Sequence, residues 1–283
     1  MTAPSHLPGW YPLMRARALN GAAALRTLAG ADLRLSRGPD GAPVAADVRT
    51  GEHRPAAEAD GWIFAALGGA PARLPARPLL AAPFRALHIE GRVEAGLADV
   101  GENILDTTHT SVVHSHYLRR PGARRAVEAT LASGDGWASA TYPPGAAPGG
   151  WGARLLGAHR YTITDTFCAP SIAEVTYTEL EAPVFAARFW LTPVSASDTF
   201  VAATVAVPGG GWVARAKLAA LRVFFLRIFA EDRAILEMIA ANRLAHGGAP
   251  LVFTPQDLLR PGINAILEGR RPPPANARIA LKV

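Results

Sequence analysis

From Leu87 onward the chain alternates strand-like runs with Gly/Pro breaks, then changes to one helical pattern running from Trp212 to about Leu244. The runs are His88–Val93, Arg125–Leu131, Trp137–Tyr142, Arg160–Phe167, Ile172–Glu179, Phe185–Pro193 and Thr199–Val207. Clusters such as Pro143–Gly152 and Pro208–Gly211 separate them, as turn chemistry demands. A second helical pattern covers Leu97–Tyr117. Six or seven antiparallel strands with one long helix near the C-terminus predict an α+β domain, the helix lying across a curved sheet.

The first 85 residues are built from shorter pieces. Ala31–Ser36 and Ala42–Val48 read as a hairpin about Gly38-Pro39-Asp40-Gly41, and Gly61–Leu67 as a further strand. The Pro/Ala-rich stretch Gly68 to Pro83 reads as a linker or irregular crossing. A boundary is therefore expected near residue 85, dividing the 283 residues into 1–85 and 86–283.

Charge excludes little by itself. The chain has 29 basic and 23 acidic residues, but all the basic ones except Lys217 and Lys282 are arginine, in an Ala-, Gly- and Pro-rich background. No basic stripe is interleaved with aromatics, so nucleic acid is not an expected partner. The densest basic cluster, Arg119, Arg120, Arg124 and Arg125, reads as a solvated loop that could also meet an acidic protein. No apolar run reaches the roughly 18 residues of a membrane span, and the first residues lack a signal-peptide core. A soluble, cytoplasmic protein is expected. The single cysteine, Cys168, rules out an internal disulfide, a CxxC…CxxC zinc site and an iron–sulfur cluster ligated within this chain.

Chemistry concentrates between Gly101 and His114. Two histidines, His109 and His114, stand five apart, with Asp106 three residues before the first. On an ideal helix five residues leave the two rings about 140° apart. Both reach one ion only where the turn is overwound or bulged. The same spacing also fits a surface helix carrying polar residues. In the long helix, Glu231 has Arg227 four residues earlier and reads as an exposed ion pair. Its neighbour Asp232 has Phe225, Ile228, Phe229, Ile235, Leu236 and Ile239 on its own face. A carboxylate in such a stripe requires a cation or tight hydrogen bonds. An internal arginine would serve, and so would a metal held jointly with two histidines.

The pattern Glu102-Asn103-x-x-Asp106-x-x-His109-x-x-x-x-His114 resembles the mononuclear iron motif of the Rieske non-heme iron oxygenases, and Glu231-Asp232-Arg233-x-Ile235-x-Glu237 resembles their third-ligand segment. The resemblance runs from about Leu87 to the C-terminus. It extends weakly to Pro8-Gly9-Trp10-Tyr11-Pro12, similar to the family's opening. It implies a helix-grip catalytic domain holding Fe(II) on His109, His114 and Asp232. Asp106 would orient a ligand histidine by hydrogen bond, and Asp106 and Asn103 are expected as catalytic residues. Thr110, Val113, Tyr117, Trp190 and Phe225 are expected around a substrate pocket.

The departure from the family lies in the N-terminal region. The family carries a [2Fe–2S] cluster there on CxH and CxxH motifs. Here Gly51-Glu52-His53-Arg54 has glycine where the first motif has cysteine, and the second motif is deleted or reduced to Ala57-x-x-Asp60-Gly61-Trp62. The implied protein is an oxygenase component that hydroxylates or demethylates a mostly apolar organic substrate. Its electrons would come from a separate ferredoxin and reductase or a cluster-bearing paralogous subunit. A homotrimer or hetero-oligomer is the assembly implied. Loss of the cluster leaves two alternatives open: a redox-neutral metal-dependent hydrolase, lyase or isomerase, and a non-catalytic ligand-binding or partner subunit. His116 and His159 read as pocket, surface or core residues without a special role, and His246 as a complement to the long helix's C-terminal dipole.

Overall fold

The computed structural model describes residues 6–69, 74, 79–80, 83–114, 126–146, 160–248, 252–274 and 277–282. Fifteen strands are ordered along these residues. They are β1 (Gly9–Arg15), β2 (Ala24–Leu28), β3 (Ala31–Arg37), β4 (Pro43–Asp47), β5 (His53–Arg54), β6 (Ala56–Ala59), β7 (Trp62–Leu67) and β8 (Phe84–Val93), then β9 (Ala126–Gly134), β10 (Trp137–Tyr142), β11 (Thr162–Cys168), β12 (Ile172–Glu179), β13 (Ala182–Ser195), β14 (Asp198–Pro208) and β15 (Arg278–Lys282). Three α-helices join them: α1 (Leu97–Leu105), α2 (Trp212–Ala245) and α3 (Arg260–Leu267).

Eight strands form the main antiparallel sheet, in the order β15-β9-β10-β11-β12-β13-β14-β8. Period-2 alternation builds its helix-bearing face: Val127, Ala129 and Leu131 of β9, and Ile163 and Phe167 of β11, point into one core. α1 joins that core through Leu97, Val100 and Leu105, spaced for one helical face. Gly101 lets α1 sit close, since a Cβ there would stand 3.0 Å from the Phe167 ring and 3.3 Å from Leu191. α2 spans 34 residues, a rod of about 50 Å. It lies over the sheet with Leu221 and Phe224 packed on Phe185, Ala187 and Val205. Its outer side keeps Trp212, Val223 and Met238 exposed. No helix among the described residues is long and apolar enough to cross a membrane.

The opposite face of the main sheet is covered by the sheet β1-β7-β6, through Trp10, Trp62 and Phe64 against Ile172, Trp190 and Ala202. Trp62 Nε1 donates to Thr204 Oγ1 at 3.0 Å and Thr192 Oγ1 to the Pro12 carbonyl at 2.6 Å, which pins the two layers together. A four-stranded sheet β2-β3-β4-β5 closes over Leu28, Leu33 and Leu35.

The architecture is the expected α+β sheet with a long helix across it, with three local differences. The helix expected over Leu97–Tyr117 ends at Leu105, because the Asp106 carboxylate takes the backbone donors that would have continued it. Ile239, expected in the buried stripe of α2, is 42% exposed. α3 and β15 form after the long helix; β15 becomes an edge strand on β9. The cluster Arg119–Arg125, together with Tyr117, His116 and His159, lies outside the described residues.

Candidate metal centre

Asp106 sets the geometry of the first two candidate ligands. It leaves α1 in an extended conformation, and its carboxylate accepts Thr108 N–H at 2.7 Å, Thr108 Oγ1–H at 2.6 Å and His109 N–H at 3.2 Å. Such a side-chain cap starts a new turn in place of the old helix. His109–Ser111 then winds as a 3-10 turn, and Val112 and Val113 both donate to the His109 carbonyl at 2.9 Å. The overwound segment removes the angular mismatch of an ideal helix. The two imidazoles meet with centroids 5.2 Å apart and Nε2 atoms at 3.3 Å.

α2 supplies the third group. Asp232 Oδ1 lies 2.9 Å from His114 Nε2 and 3.4 Å from His109 Nε2. Donor atoms of all three residues lie within 4.8 Å of one another. Separations of this size are what donors each about 2.1 Å from one shared ion produce. Asp232 Oδ1 is buried between two imidazole nitrogens with no hydrogen-bond partner, and a shared cation suits a buried carboxylate oxygen in that position. The donor set of two imidazoles and one carboxylate fits Fe(II).

Electrostatics bind protons where an ion would sit. Burial pushes the His109 pKa down, but the Asp106 and Asp232 carboxylates more than reverse this, bringing it up to about 9. Burial pushes Asp232 up, and the two histidines outweigh it and hold the carboxyl at about 2. A metal must therefore displace the His109 proton at neutral pH. Apparent Co(II) affinity is expected to rise about tenfold per pH unit up to pH 9 and then level off, measurable by calorimetry in buffers of different ionisation enthalpy. In metal-free protein the His109 contribution to stability is complete below its unperturbed 6.5 and is lost as pH rises through about 9. The Asp232 contribution is complete above 3.8 and is lost as pH falls through about 2.

Asp106 reaches the His109 ring at ion-pair distance and the His109 backbone by hydrogen bond. Its Oδ2 is 3.6 Å from His109 Nδ1, beyond hydrogen-bond range, and that nitrogen is buried without a hydrogen-bond partner. The carboxylate holds His109 by the backbone. A cavity of about 170 Å³ opens beside the three groups, between α1, α2 and the sheet. Its walls are apolar and aromatic, including Tyr177, Phe185, Phe189 and Phe229. Asn103, Thr110 and Phe225 line it, and Asn103 Nδ2 is buried there without a hydrogen-bond partner. Val113 is half-buried and is not part of the lining. Trp190 points to the other face of the sheet, where its ring packs edge-on against Phe64 at 5.1 Å; the N-terminal strands cover that face.

Two contacts near the centre escape a reading by residue spacing. Glu231, expected only as a surface partner of Arg227, also reaches His114 Nδ1 at 2.9 Å. The signal in the sequence was its adjacency to Asp232. Gly91 of β8 lies under Phe229, so close that a Cβ would stand 2.3 Å from the ring.

Residues 93–260 match the family described as the vanillate O-demethylase oxygenase C-terminal domain. No curated protein sequence matches the chain significantly. Dicamba monooxygenase bound to 3,6-dichlorosalicylic acid superposes with a TM-score of 0.75 at 17% identity, covering 93% of this chain and 97% of that one. NdmB of Pseudomonas putida CBB5 gives 0.65 at 12% identity, with 92% and 89% covered. The oxygenase of carbazole 1,9a-dioxygenase, solved with its ferredoxin, gives 0.63 at 11% identity, with 96% and 91% covered. At these identities the likeness is one of fold.

Proposed function

The chain belongs to the Rieske non-heme iron oxygenases, matching their vanillate O-demethylase C-terminal domain family over residues 93–260, and from that premise we propose that it is an Fe(II)-dependent oxygenase component acting on a mostly apolar organic substrate by hydroxylation or demethylation. The convergence of His109, His114 and the orphaned Asp232 Oδ1 at one end of an apolar cavity carries the reading. Bound iron would supply reductive O2 chemistry; His109, His114 and Asp232 would hold it.

The remaining residues bind and orient. The aromatic walls exclude water and bury an apolar ligand about the size of one substituted ring. Asn103 Nδ2 is the free donor for an acceptor atom on that ligand. Thr110 Oγ1 already donates to the Thr107 carbonyl at 2.7 Å and lends shape rather than a hydrogen bond. Asp106 holds the turn that presents both histidines. Relatives of this fold have been solved with dicamba and, for NdmA, with caffeine.

Electrons would come from a separate iron–sulfur protein or a cluster-bearing paralogous subunit. A Rieske [2Fe–2S] centre needs two thiolates, and this chain has one cysteine, Cys168, located in β11. Residues 1–85 would then be a reduced counterpart of the family's cluster domain, within a homotrimer or hetero-oligomer.

The test is anaerobic loading with Fe(II), followed by O2 and a ferredoxin–reductase pair. One iron per chain is expected, with O2 uptake and product only when reductant is present. Turnover with Zn(II) under anaerobiosis would replace this reading by redox-neutral metal catalysis, which the missing thiolates favour as the second reading. Gly91→Ala would push the Phe229 ring into the cavity. It is expected to weaken binding of apolar ligands at least tenfold while leaving metal stoichiometry at one per chain, as measured by ligand titration and metal analysis.

A further inference from the structure

An imidazole can ligate a cation through Nε2 only as the tautomer whose proton sits on Nδ1, and something must hold the proton there. For His114 that group is Glu231. Glu231 Oε2 lies 2.9 Å from His114 Nδ1, while Asp232 Oδ1 lies 2.9 Å from Nε2. Consecutive residues on α2 point about 100° apart, so they flank the one ring on its two nitrogens. The other Glu231 oxygen accepts Arg227 Nε at 3.0 Å, one helical turn earlier. Arg227 is 62% exposed, Glu231 24% and His114 1%, so the chain of contacts runs from solvent to the buried ring. His109 is supported differently, by Asp106, whose Oδ2 accepts its backbone N–H at 3.2 Å and lies 3.6 Å from its Nδ1.

We propose that Glu231 is the positioning residue of the metal centre: held by Arg227, it fixes His114 as the Nδ1–H tautomer with the Nε2 lone pair turned toward Asp232 and His109. The inference rests on the reading of His109, His114 and Asp232 as metal ligands. It makes His114 a preorganised anchor of the set. Partners of this kind behind a ligating imidazole tighten metal binding, so Glu231 holds the ion as well as aiming the ring.

Co(II) alone is the probe, titrated into the full chain and followed by its visible absorption, with 15N spectra of the histidine rings reporting the metal-free tautomer. Glu231→Ala is expected to weaken Co(II) binding about 10–100-fold and to shift His114 to a mixture of tautomers. Glu231→Gln keeps an acceptor for Nδ1–H in the same place. It is expected to restore the tautomer and recover most of the affinity, a rescue that a merely structural role would not give. Circular dichroism of Glu231→Gln checks the fold independently. Wild-type affinity, absorption and tautomer in Glu231→Ala would overturn the proposal and leave the metal site standing. Absence of Co(II) binding by the wild type would overturn both.

Discussion

Asp232→Ala is expected to lower Co(II) or Fe(II) affinity roughly a thousandfold and to abolish turnover. The carboxylate is the only anion among the three donors that meet within 4.8 Å. If a complete site of this kind contributes on the order of 12 kcal/mol, losing one donor in three costs about 4 kcal/mol, or roughly three decades in affinity. The histidines feel the loss as well. Without Asp232 beside it, burial pulls His109 back from its raised pKa of about 9, so its proton leaves more easily and offsets part of the loss at neutral pH. The metal dependence measured by calorimetry should then become less steep with pH. Metal retained at wild-type affinity in Asp232→Ala would place the centre elsewhere.

The second large effect is on stability. Arg260 is 6% exposed, and its guanidinium donates to Glu102 Oε2 at 2.5 Å, Asp99 Oδ1 at 2.7 Å and Asn264 Oδ1 at 3.0 Å. It ties α1 to α3 and so anchors the helix from which the histidine turn departs. Arg260→Ala leaves Glu102 without its partner, and burial already pushes that carboxyl up. Asp99 keeps Arg243 at 3.2 Å. Removing one side of a buried ion pair costs about 3–5 kcal/mol, a fall of roughly 10 °C in melting midpoint for a chain of this size. Arg260→Lys is expected to recover little, because one ammonium cannot fork between two carboxylates. Arg260→Met combined with Glu102→Leu should recover more, since it leaves less charge to desolvate. A midpoint unchanged in Arg260→Ala would show that the network is solvated in solution.

Strands β9 and β11 were legible because each buries one face, so apolar residues recur with period 2 through Val127, Ala129 and Leu131 and again through Ile163 and Phe167. The three residues proposed as ligands could be picked out because acids and imidazoles stood out against apolar patterns. The end of α1 was not. It depends on one side chain capturing two backbone donors, a competition that helical periodicity does not register. The face taken by Trp190 was equally hidden. Both faces of β13 are apolar, and which one meets the cavity depends on the N-terminal strands covering the other. Glu231 was read through its nearest sequence partner, Arg227; its contact with His114 crosses 117 residues.

That span has a mechanical meaning. The histidine turn and the long helix come from opposite ends of the sheet's connectivity and meet at this one cluster of polar groups. An ion bound there would work as a reversible cross-link, closing a loop of more than a hundred residues in the same sense that a disulfide would. Its release would return that loop's freedom to the chain and loosen the last half of α2 first, where few buried side chains besides Leu236 hold the helix down. Amide exchange along residues 232–245 should therefore report metal occupancy directly, slowing as the cross-link forms.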